Sequence, residues 1–510
     1  MRKTTFTVLA LIVLAFALVL SSCAAPTPTA QATATPTPKP PPTEIKFIIY
    51  DIPGKGVNAQ PIVDKLNELS EEAVNVTVKM TYLGSADYAT KLTTSFPAGA
   101  DGYDLCTVVP GGPASFGTLA ANGQLLDITD LLDEYGADMK ELVKDYIGAF
   151  SVAGKAYGVP TYRNFAALTS IIMRKDILDQ LGLTEKAKAM TSFTELEEIF
   201  AAVKAANPTL PAIAGNRNVI YNTGFLLGAD KFADSKIFDP LGDAQYIIYS
   251  DQATGKLSFL PENADWKAMC ERARKWQTNG WVNPDSITTT DHVDTTMKSG
   301  LTFSSIQNTE LGAVSAKTAA TGYDVVVVDF GKVILSSGHV NKFGTGVPIN
   351  ASEPEAAVSW LNWLYTTKEA MNLLTWGIEN TDYVVADGMA GYPEGTDAKS
   401  VKYHEMEFVW GNQFLLLPWK GAGADFREVS LATLKSAPIS TFLGFTANLA
   451  TVKNEIAALQ AVNDQYRPQI LTGKYTDELY AEFVAALKTA GAQTVIDLVQ
   501  SQLDAWKAAK

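Results

Sequence analysis

The segment IKFIIYDIPGKG, residues 45–56, decides the fold, because a short apolar run ends abruptly in a turn rich in Pro and Gly. Apolar residues then recur at helical spacing from Ile62 to Leu69 and alternate with polar residues from Val74 to Tyr82. These patterns predict a strand, a helix and a second strand. A helix near residues 88–96 and a third strand at 103–109 follow. Strands joined by helices favour right-handed crossovers and a mostly parallel sheet, so we expect an α/β protein.

Ligands of such sheets bind beyond the carboxyl ends of the strands. In this chain those ends carry Tyr50 and Asp51 after the first strand and the turn at residues 110–112 after the third. A strand-end turn explains Tyr50 and Asp51 as well as ligand contact does, and Asp87 has the alternative role of capping the helix that holds Tyr88. Both readings stay open at this point.

The N-terminus has the pattern of a bacterial secretory signal. Arg2 and Lys3 precede an apolar run at residues 6–20, which is shorter than the roughly 20 residues that a membrane-spanning helix needs. The run ends in LSSC, residues 20–23, which resembles a lipobox. We therefore expect residues 1–22 to be a signal peptide and Cys23 to be the lipidation site that holds the protein on the extracytoplasmic face of the cell membrane. A plain signal peptide followed by a chance Cys is the alternative.

Residues 24–43 are almost entirely Pro, Thr and Ala. This composition cannot bury a core, and its prolines favour polyproline II over helix. At about 3.1 Å per residue such a segment reaches up to ~60 Å. We interpret residues 23–43 as a lipidated Cys followed by a stalk.

The composition excludes several classes of protein. With 41 Lys plus Arg against 55 Asp plus Glu, the formal charge is −14, which argues against a general nucleic-acid partner. Three Cys exclude a disulfide-rich scaffold, and Cys106 and Cys270 either pair or remain separate buried thiols.

Catalytic and metal-binding motifs are weak. The segment HEMEF, residues 404–408, lacks the second His of a zincin, and the spacing of Asp239 and Asp243 does not match a calcium loop. No P-loop or nucleophile elbow is found, and no glycosidase pair stands out among the 55 carboxylates. The sequence therefore predicts no catalytic residue, no metal site and no cofactor.

Several short motifs resemble those of family 1 extracellular solute-binding proteins, the receptors of ABC importers, and they occur in the family's order. They are YATKL (88–92), AGADGYD (98–104), GQLLDIT (123–129), GKAYGVP (154–160), GWVNPD (280–285) and WGIENTDY (376–383). The segment YSDQATGKL (249–257) is similar to a hairpin shared with lipoproteins and alginate-type oligosaccharide receptors. The resemblance extends over residues 44–510.

The resemblance implies a two-lobed periplasmic-binding-protein fold of type II, in which each lobe is a mostly parallel sheet flanked by helices and a hinge joins the lobes. It places lobe 1 at residues 44–160 and 303–334, and lobe 2 at residues 165–302 and 335–510. The chain would cross between lobes near residues 160–165, 302–304 and 333–337.

The resemblance also implies a monomeric, non-catalytic receptor that binds a carbohydrate between its lobes and delivers it to an ABC permease. A receptor for a peptide or another small solute is the alternative, and a surface glycan-degrading enzyme is a third. Sugars are recognised by aromatic faces and by planar polar side chains. The candidate ligand-binding residues are Tyr50, Asp51, Asp87, Tyr88, Tyr162, Arg163, Asn164, Asn216, Arg217, Tyr221, Gln307, Asn308, Trp376, Glu379 and Tyr383.

Overall fold

The computed structural model describes residues 40–98, 102–216, 219–220 and 224–509. Residues 42–510 cluster as one unit of the chain. The predicted signal peptide, Cys23 and most of the predicted stalk lie outside the described residues.

Strands are numbered in chain order. They are β1 (Thr43–Tyr50), β2 (Val76–Leu83), β3 (Leu105–Val108), β4 (Ser151–Val152), β5 (Lys155–Ala156), β6 (Gly158–Pro160), β7 (Leu168–Arg174), β8 (Phe225–Leu226), β9 (Lys236–Ile237), β10 (Ile248–Ser250), β11 (Leu257–Phe259), β12 (Ser304–Thr309), β13 (Val325–Lys332), β14 (Gly344–Gly346), β15 (Val384–Ala386) and β16 (Met389–Gly391).

The α-helices are numbered in the same way. They are α1 (Gln60–Val74), α2 (Ser85–Ala98), α3 (Phe116–Ala121), α4 (Thr129–Tyr135), α5 (Ala137–Val143), α6 (Lys175–Gln180), α7 (Thr184–Ala189), α8 (Phe193–Ala206), α9 (Ala264–Thr278), α10 (Val293–Lys298), α11 (Ala313–Thr321), α12 (Ser337–Val340), α13 (Pro354–Thr366), α14 (Lys368–Trp376), α15 (Phe426–Lys435), α16 (Lys453–Leu471), α17 (Asp477–Thr489) and α18 (Ala492–Ala508).

The larger sheet has the strand order β2-β1-β3-β14-β6. β1 pairs in parallel with both β2 and β3, as the strand–helix–strand pattern predicts. Phe47 and Ile48 are fully buried in β1, because the strand lies inside the sheet with helices packed over it. The predicted α/β start of the chain is therefore present.

The second sheet has the order β12-β7-β13, and both of its pairings are antiparallel. The expectation of a mostly parallel sheet in each lobe thus fits β1, β2 and β3 but not this sheet. In the larger sheet β14 also runs antiparallel to β3 and β6. These strands are added by chain segments that return from elsewhere in the fold, so their direction does not follow from a local strand–helix–strand repeat.

Two separate hydrophobic cores define the two lobes. The core of lobe 1 is built from residues 45–166 and 335–437. The core of lobe 2 is built from residues 171–333 and 442–503. The expected two-lobed arrangement is confirmed.

The expected lobe boundaries, 44–160 with 303–334 and 165–302 with 335–510, differ from this arrangement. Residues 303–334 lie in lobe 2, because β12 and β13 pair with the two edges of β7. Residues 335–437 lie in lobe 1, where β14 joins β3 and Trp360 of α13 packs edge-on against Phe47, with ring centroids 6.2 Å apart. The sequence reading exchanged these two segments, because local patterns do not reveal which sheet a returning strand joins.

The chain crosses between the lobes near residues 166–167, 333–335 and 437–442. The crossing at 333–335 falls within the expected range 333–337 and the one at 166–167 follows directly after the expected range 160–165, whereas residues 302–304 lie inside lobe 2. The crossings are hydrogen-bonded to one another: Val333 N–H donates to the Ala167 carbonyl at 3.1 Å, and Leu335 N–H donates to the Pro438 carbonyl at 2.8 Å. This narrow backbone connection forms the hinge.

Cys106 and Cys270 are both buried free thiols, one in the core of each lobe. Their separation between two cores explains why they do not pair. In the part of the chain that the structure describes, we find no helix that combines the length and apolar character of a membrane span.

Candidate functional site: a cavity between the lobes

A cavity of about 540 Å³ opens between the two lobes. Lobe 2 contributes residues 308–313 and 315–317, from the end of β12 into the first turns of α11. Lobe 1 contributes His339, Lys342 and the loop from Trp419 into α15 at Phe426. This volume lies within the range of ~300–1,000 Å³ that is typical of small-molecule sites.

The lobe 1 wall is built around Trp419, which is half-buried. Its indole packs against Trp376 at 4.8 Å, His404 at 4.7 Å and Tyr392 at 4.8 Å between ring centroids. Such tilted and edge-on contacts fix the orientation of an aromatic ring. The cluster of these four rings, which we call the aromatic wall, therefore holds the indole of Trp419 in place at the cavity.

The charged groups of the cavity come from both lobes. Glu310 follows β12 on lobe 2, whereas Lys342 and His339 lie on lobe 1. Arg163, in the segment leading to the first crossing, donates from Nη2 to the His339 carbonyl at 3.2 Å and from Nη1 to the Asn164 carbonyl at 3.3 Å. Its Nε is buried without a hydrogen-bond partner among the described residues.

Withdrawal from water dominates the electrostatics of these groups. Desolvation raises the pKa of Glu310, and the opposing pull of Arg163 is weaker. Desolvation lowers the pKa of Arg163 to about 10 and that of His339 to about 4, so His339 is neutral near pH 7. The pKa of Lys342 is also lowered, first by desolvation and then by the charge of Arg163. Arg163 and His339 are thus the partly buried members of the group, whereas Glu310 and Lys342 are exposed to the solvent of the cavity.

The lobe 2 wall carries a polar network. Asp294 accepts hydrogen bonds from Gln307 Nε2 at 2.6 Å and from Lys317 Nζ at 2.9 Å. Because Lys317 is paired, its charge is already compensated. Asn308 is exposed in the cavity beside this network.

The predicted residues at the ends of the first strands have structural roles. Tyr88 is fully buried and donates its hydroxyl to the Thr107 carbonyl, and Tyr50 packs edge-on against it at 5.5 Å. The Asp51 carboxylate accepts from the N–H groups of Gly54, Lys55 and Gly56 and so holds the turn after β1. Asp87 is exposed in the first turn of α2. These four residues do not line the interlobe cavity.

The predicted crossing residues lie close to the cavity, but two of them are packed. Tyr162 is 7% exposed and lies edge-on against Phe414 at 5.0 Å between centroids. Asn164 is 8% exposed and uses its Oδ1 to accept from Ala166 N–H. Arg163 is therefore the member of this segment with charge directed toward the cavity groups.

Of the other predicted ligand-binding residues in the lobe 2 segments, some lie at the cavity and some do not. Asn308 lines the cavity and Gln307 supports its wall, whereas Asn216 donates to the Asp291 carbonyl. Arg217 and Tyr221 lie outside the described residues.

The predicted element at 376–383 does not enter the cavity itself. Trp376 is 3% exposed and stands behind Trp419 in the aromatic wall. Glu379 and Tyr383 line a different groove of lobe 1, between α1 and α14.

Sequence reasoning missed Trp419, Glu310, Lys342, Lys420 and Phe426, which all line the cavity. A signal for Trp419 was present, since the segment PWKGAG, residues 418–423, places an aromatic residue in a turn rich in Pro and Gly. The others carry no local signal, because their approach to the cavity depends on how the two lobes meet.

Among the described residues, no group of three or more His, Cys, Asp or Glu residues is arranged to hold a metal ion.

The fold is similar to those of solved solute-binding proteins. A fold match with the N-glycan transport solute-binding protein of Streptococcus pneumoniae has a TM-score of 0.75 and 22% identity, and it covers 91% of this chain and 99% of that one. An HMO-binding, ABC-transporter-associated solute-binding protein of Bifidobacterium longum infantis matches with a TM-score of 0.63 at 15% identity, over 91% and 99% of the two chains.

Sequence comparison gives the same picture. A carbohydrate ABC transporter substrate-binding protein of Streptococcus pneumoniae is 24% identical over 459 residues, which cover 89% of this chain and 90% of that protein. Residues 441–508 match a domain of unknown function, DUF3502. Residues 55–371, more than half of the chain, match the model of the bacterial extracellular solute-binding proteins. The chain therefore belongs to the family of bacterial extracellular solute-binding proteins.

Proposed function

We propose that this protein is the extracytoplasmic receptor of an ABC importer, that it captures an oligosaccharide between its lobes, and that it delivers this ligand to the permease as a monomer. The observation that carries the proposal is the position of Trp419. Its half-buried indole, fixed by the aromatic wall, borders a cavity whose opposite side presents Asn308 and Glu310. Sugar rings need this combination of an aromatic face with hydrogen-bonding side chains.

The relatives support the class of ligand. The protein with 24% identity is named as a carbohydrate receptor of an ABC transporter. Solved structures of the same fold hold Man1GlcNAc, with a TM-score of 0.64, and kestose, with a TM-score of 0.59. The alternative ligand, a peptide, lacks such support.

The hinge supplies the means of capture. Three crossing segments, joined to one another by a few backbone hydrogen bonds, allow one lobe to rotate against the other. Ligand contact with Trp419 on lobe 1 and Asn308 on lobe 2 then stabilises the closed form, because both contacts exist together only when the lobes approach.

Among the residues proposed from the sequence, Arg163 and Asn308 are the ones we assign to direct ligand contact. Gln307 positions the lobe 2 wall through Asp294, and Trp376 positions Trp419. The other described candidates serve packing, turns or a separate groove.

Isothermal titration calorimetry against mannose-, N-acetylglucosamine-, fructose- and glucose-containing oligosaccharides tests this proposal. We expect one series to bind, and we expect Trp419→Ala to weaken that binding at least tenfold. Trp506→Ala is the matched control, since Trp506 is also half-buried but lies on α18 of lobe 2. Equal affinity of the wild type and Trp419→Ala would remove the aromatic wall from the site.

We also propose that the protein does not transform its ligand. Chromatography of the oligosaccharide after prolonged incubation with pure protein should return it intact. Turnover that persists through purification and is lost in Trp419→Ala would instead favour a glycan-degrading enzyme.

The proposed anchor is Cys23, after removal of residues 1–22. In a bacterial host, Cys23→Ala should move the protein from the membrane fraction to the soluble extracytoplasmic fraction. Membrane association that survives this change would contradict lipidation at Cys23.

A further inference from the structure

We propose that the oligosaccharide captured between the lobes carries a carboxylate, and that Lys342 and Lys420 receive it. This inference rests on the proposed function and adds the chemical class of the sugar. Both lysines belong to lobe 1 and line the same interlobe cavity as Trp419. A ring lying against Trp419 therefore shares this cavity with both lysines.

In the described part of the chain, Lys342 and Lys420 have no internal counter-ion. Among the described residues, no carboxylate lies within 4.0 Å of the Nζ atom of Lys342 or Lys420. Two other cations near the cavity are compensated: Lys317 pairs with Asp294 at 2.9 Å, and Arg427 pairs with Glu407. Among the described residues Lys342 and Lys420 lack such a carboxylate partner, as does Arg163, whose guanidinium donates to two backbone carbonyls.

Lobe 2 does not supply enough negative charge to pair with Lys342 and Lys420. Glu310 is the carboxylate that lobe 2 places in the cavity. Arg163 adds a third cation near Glu310, and its charge also acts on Lys342. Glu310 neutralises one of these three cations at most, so a positive surplus remains in the cavity.

The positive charge that remains in the cavity favours an anionic ligand. The chain as a whole has a formal charge of −14, so a cationic cavity is opposite in sign to the rest of the protein. Lys342 is exposed, and its pKa is lowered, first by desolvation and then by the charge of Arg163. A ligand carboxylate offsets the repulsion between these cations and accepts charge-assisted hydrogen bonds, which are shorter and stronger than those to a hydroxyl.

The test compares sugars that differ in one group. Calorimetry is run with glucose-terminated and glucuronic-acid-terminated trisaccharides, and with galactose-terminated and galacturonic-acid-terminated ones, which differ only at C6 of the terminal ring. At 20 mM NaCl we expect the acidic member of at least one pair to bind at least tenfold more tightly. At 300 mM NaCl this preference should shrink, because salt screens accessible charges.

Variants locate the effect. Lys342→Met and Lys420→Met should each weaken binding of the acidic sugar at least fivefold and change binding of the neutral sugar less than twofold. Lys79→Met is the matched control, since Lys79 is exposed on β2 away from the cavity.

The outcomes separate the two proposals. Neutral members that bind as tightly as the acidic ones, or more tightly, overturn the carboxylate while the carbohydrate receptor stands. An acidic preference that is unchanged in both lysine variants overturns the assignment to Lys342 and Lys420. Failure of every sugar in both this set and the neutral panel overturns the receptor proposal together with this inference.

Discussion

The indole of Trp376 packs against the indole of Trp419 with ring centroids 4.8 Å apart and planes inclined by 47°. Trp376 is 3% exposed and ends α14, whereas Trp419 is half-buried and borders the cavity. The pair thus links the core of lobe 1 to the surface of the interlobe cavity. We therefore expect Trp376 to support the wall and Trp419 to contact the ligand.

This division of roles predicts different effects of the same substitution. Trp376→Ala should lower the free energy of unfolding by about 3–5 kcal/mol, as expected for a buried Trp. Trp419→Ala should cost clearly less, because part of its ring is already in water, while it removes most of the ligand affinity. Urea unfolding without ligand measures the difference in stability between the two variants, and calorimetry measures the loss of ligand affinity. Similar stability losses in the two variants would show that Trp419 is also part of the core.

Gly344 lies in β14, an inner strand of the larger sheet between β3 and the edge strand β6. A Cβ atom at this position would stand 2.5 Å from the Val159 carbonyl oxygen and would also meet the ring of Phe150. Since backbone and a buried ring cannot easily move, Gly344→Ala should destabilise the protein by about 1–3 kcal/mol.

The control for this prediction is Gly117→Ala in α3, where a Cβ atom meets nothing within 4 Å. There, Ala is the better helix former, so stability should be unchanged or higher by up to about 1 kcal/mol. Thermal unfolding measures the stability of both variants. If Gly344→Ala is as stable as the wild type, β14 does not pack against β6 and Phe150 as described.

The early part of the fold follows from the sequence, because its signals are local. The apolar run of β1, the helical spacing of α1 and the alternation in β2 each lie within a few residues, and the parallel pairing of β1 with β2 follows from them. The placement of β12 and β13 on β7 does not, because it joins segments more than 130 residues apart. Pairing over such distances is set by the packing of whole lobes.

The same limit applies to the site. Asn308 and Arg163 were named as candidates, Arg163 because it lies within the crossing expected at residues 160–165. Glu310 and Lys342 were missed, because each is an ordinary surface charge until the two lobes meet. Tyr88 and Trp376 were proposed as ligand contacts because they are aromatic residues in suitable segments, yet both are buried in the core of lobe 1.

The two thiols should be inert in the folded protein. Burial raises the pKa of Cys106 to about 12 and raises that of Cys270 as well, so neither forms the reactive thiolate. In a Cys23→Ser background, a chromogenic disulfide reagent should label neither thiol under native conditions and two per chain after unfolding in guanidinium. Labelling of none after unfolding without a reductant would reveal a disulfide, in conflict with their separation between two cores.

Glu405 makes stability depend on pH. It is 1% exposed, and no hydrogen bond of normal geometry from the described residues reaches either carboxylate oxygen. Burial raises its pKa to about 8, and the negative charge of Asp51 adds to this. The unfolded chain releases this proton near pH 4.5. Between these values the folded state binds more protons than the unfolded state, so its stability falls as pH rises.

Glu405→Gln removes this titration while keeping the size of the side chain. The stabilisation by the protonated carboxyl is fully present below pH 4.5 and is lost as pH rises through about 8, and each pKa unit is worth about 1.4 kcal/mol. The variant should therefore gain stability relative to the wild type by several kcal/mol between pH 5 and pH 8.5, measured by urea unfolding at half-unit intervals. His339 and His404, whose pKa values are lowered to about 4 mainly by burial, act in the opposite direction below pH 6.5, but they are common to both proteins. For Glu482→Gln, at an exposed position of α17, the stability difference from the wild type should not change with pH. A flat difference for Glu405→Gln as well would mean that water or a cation reaches the Glu405 carboxylate in solution.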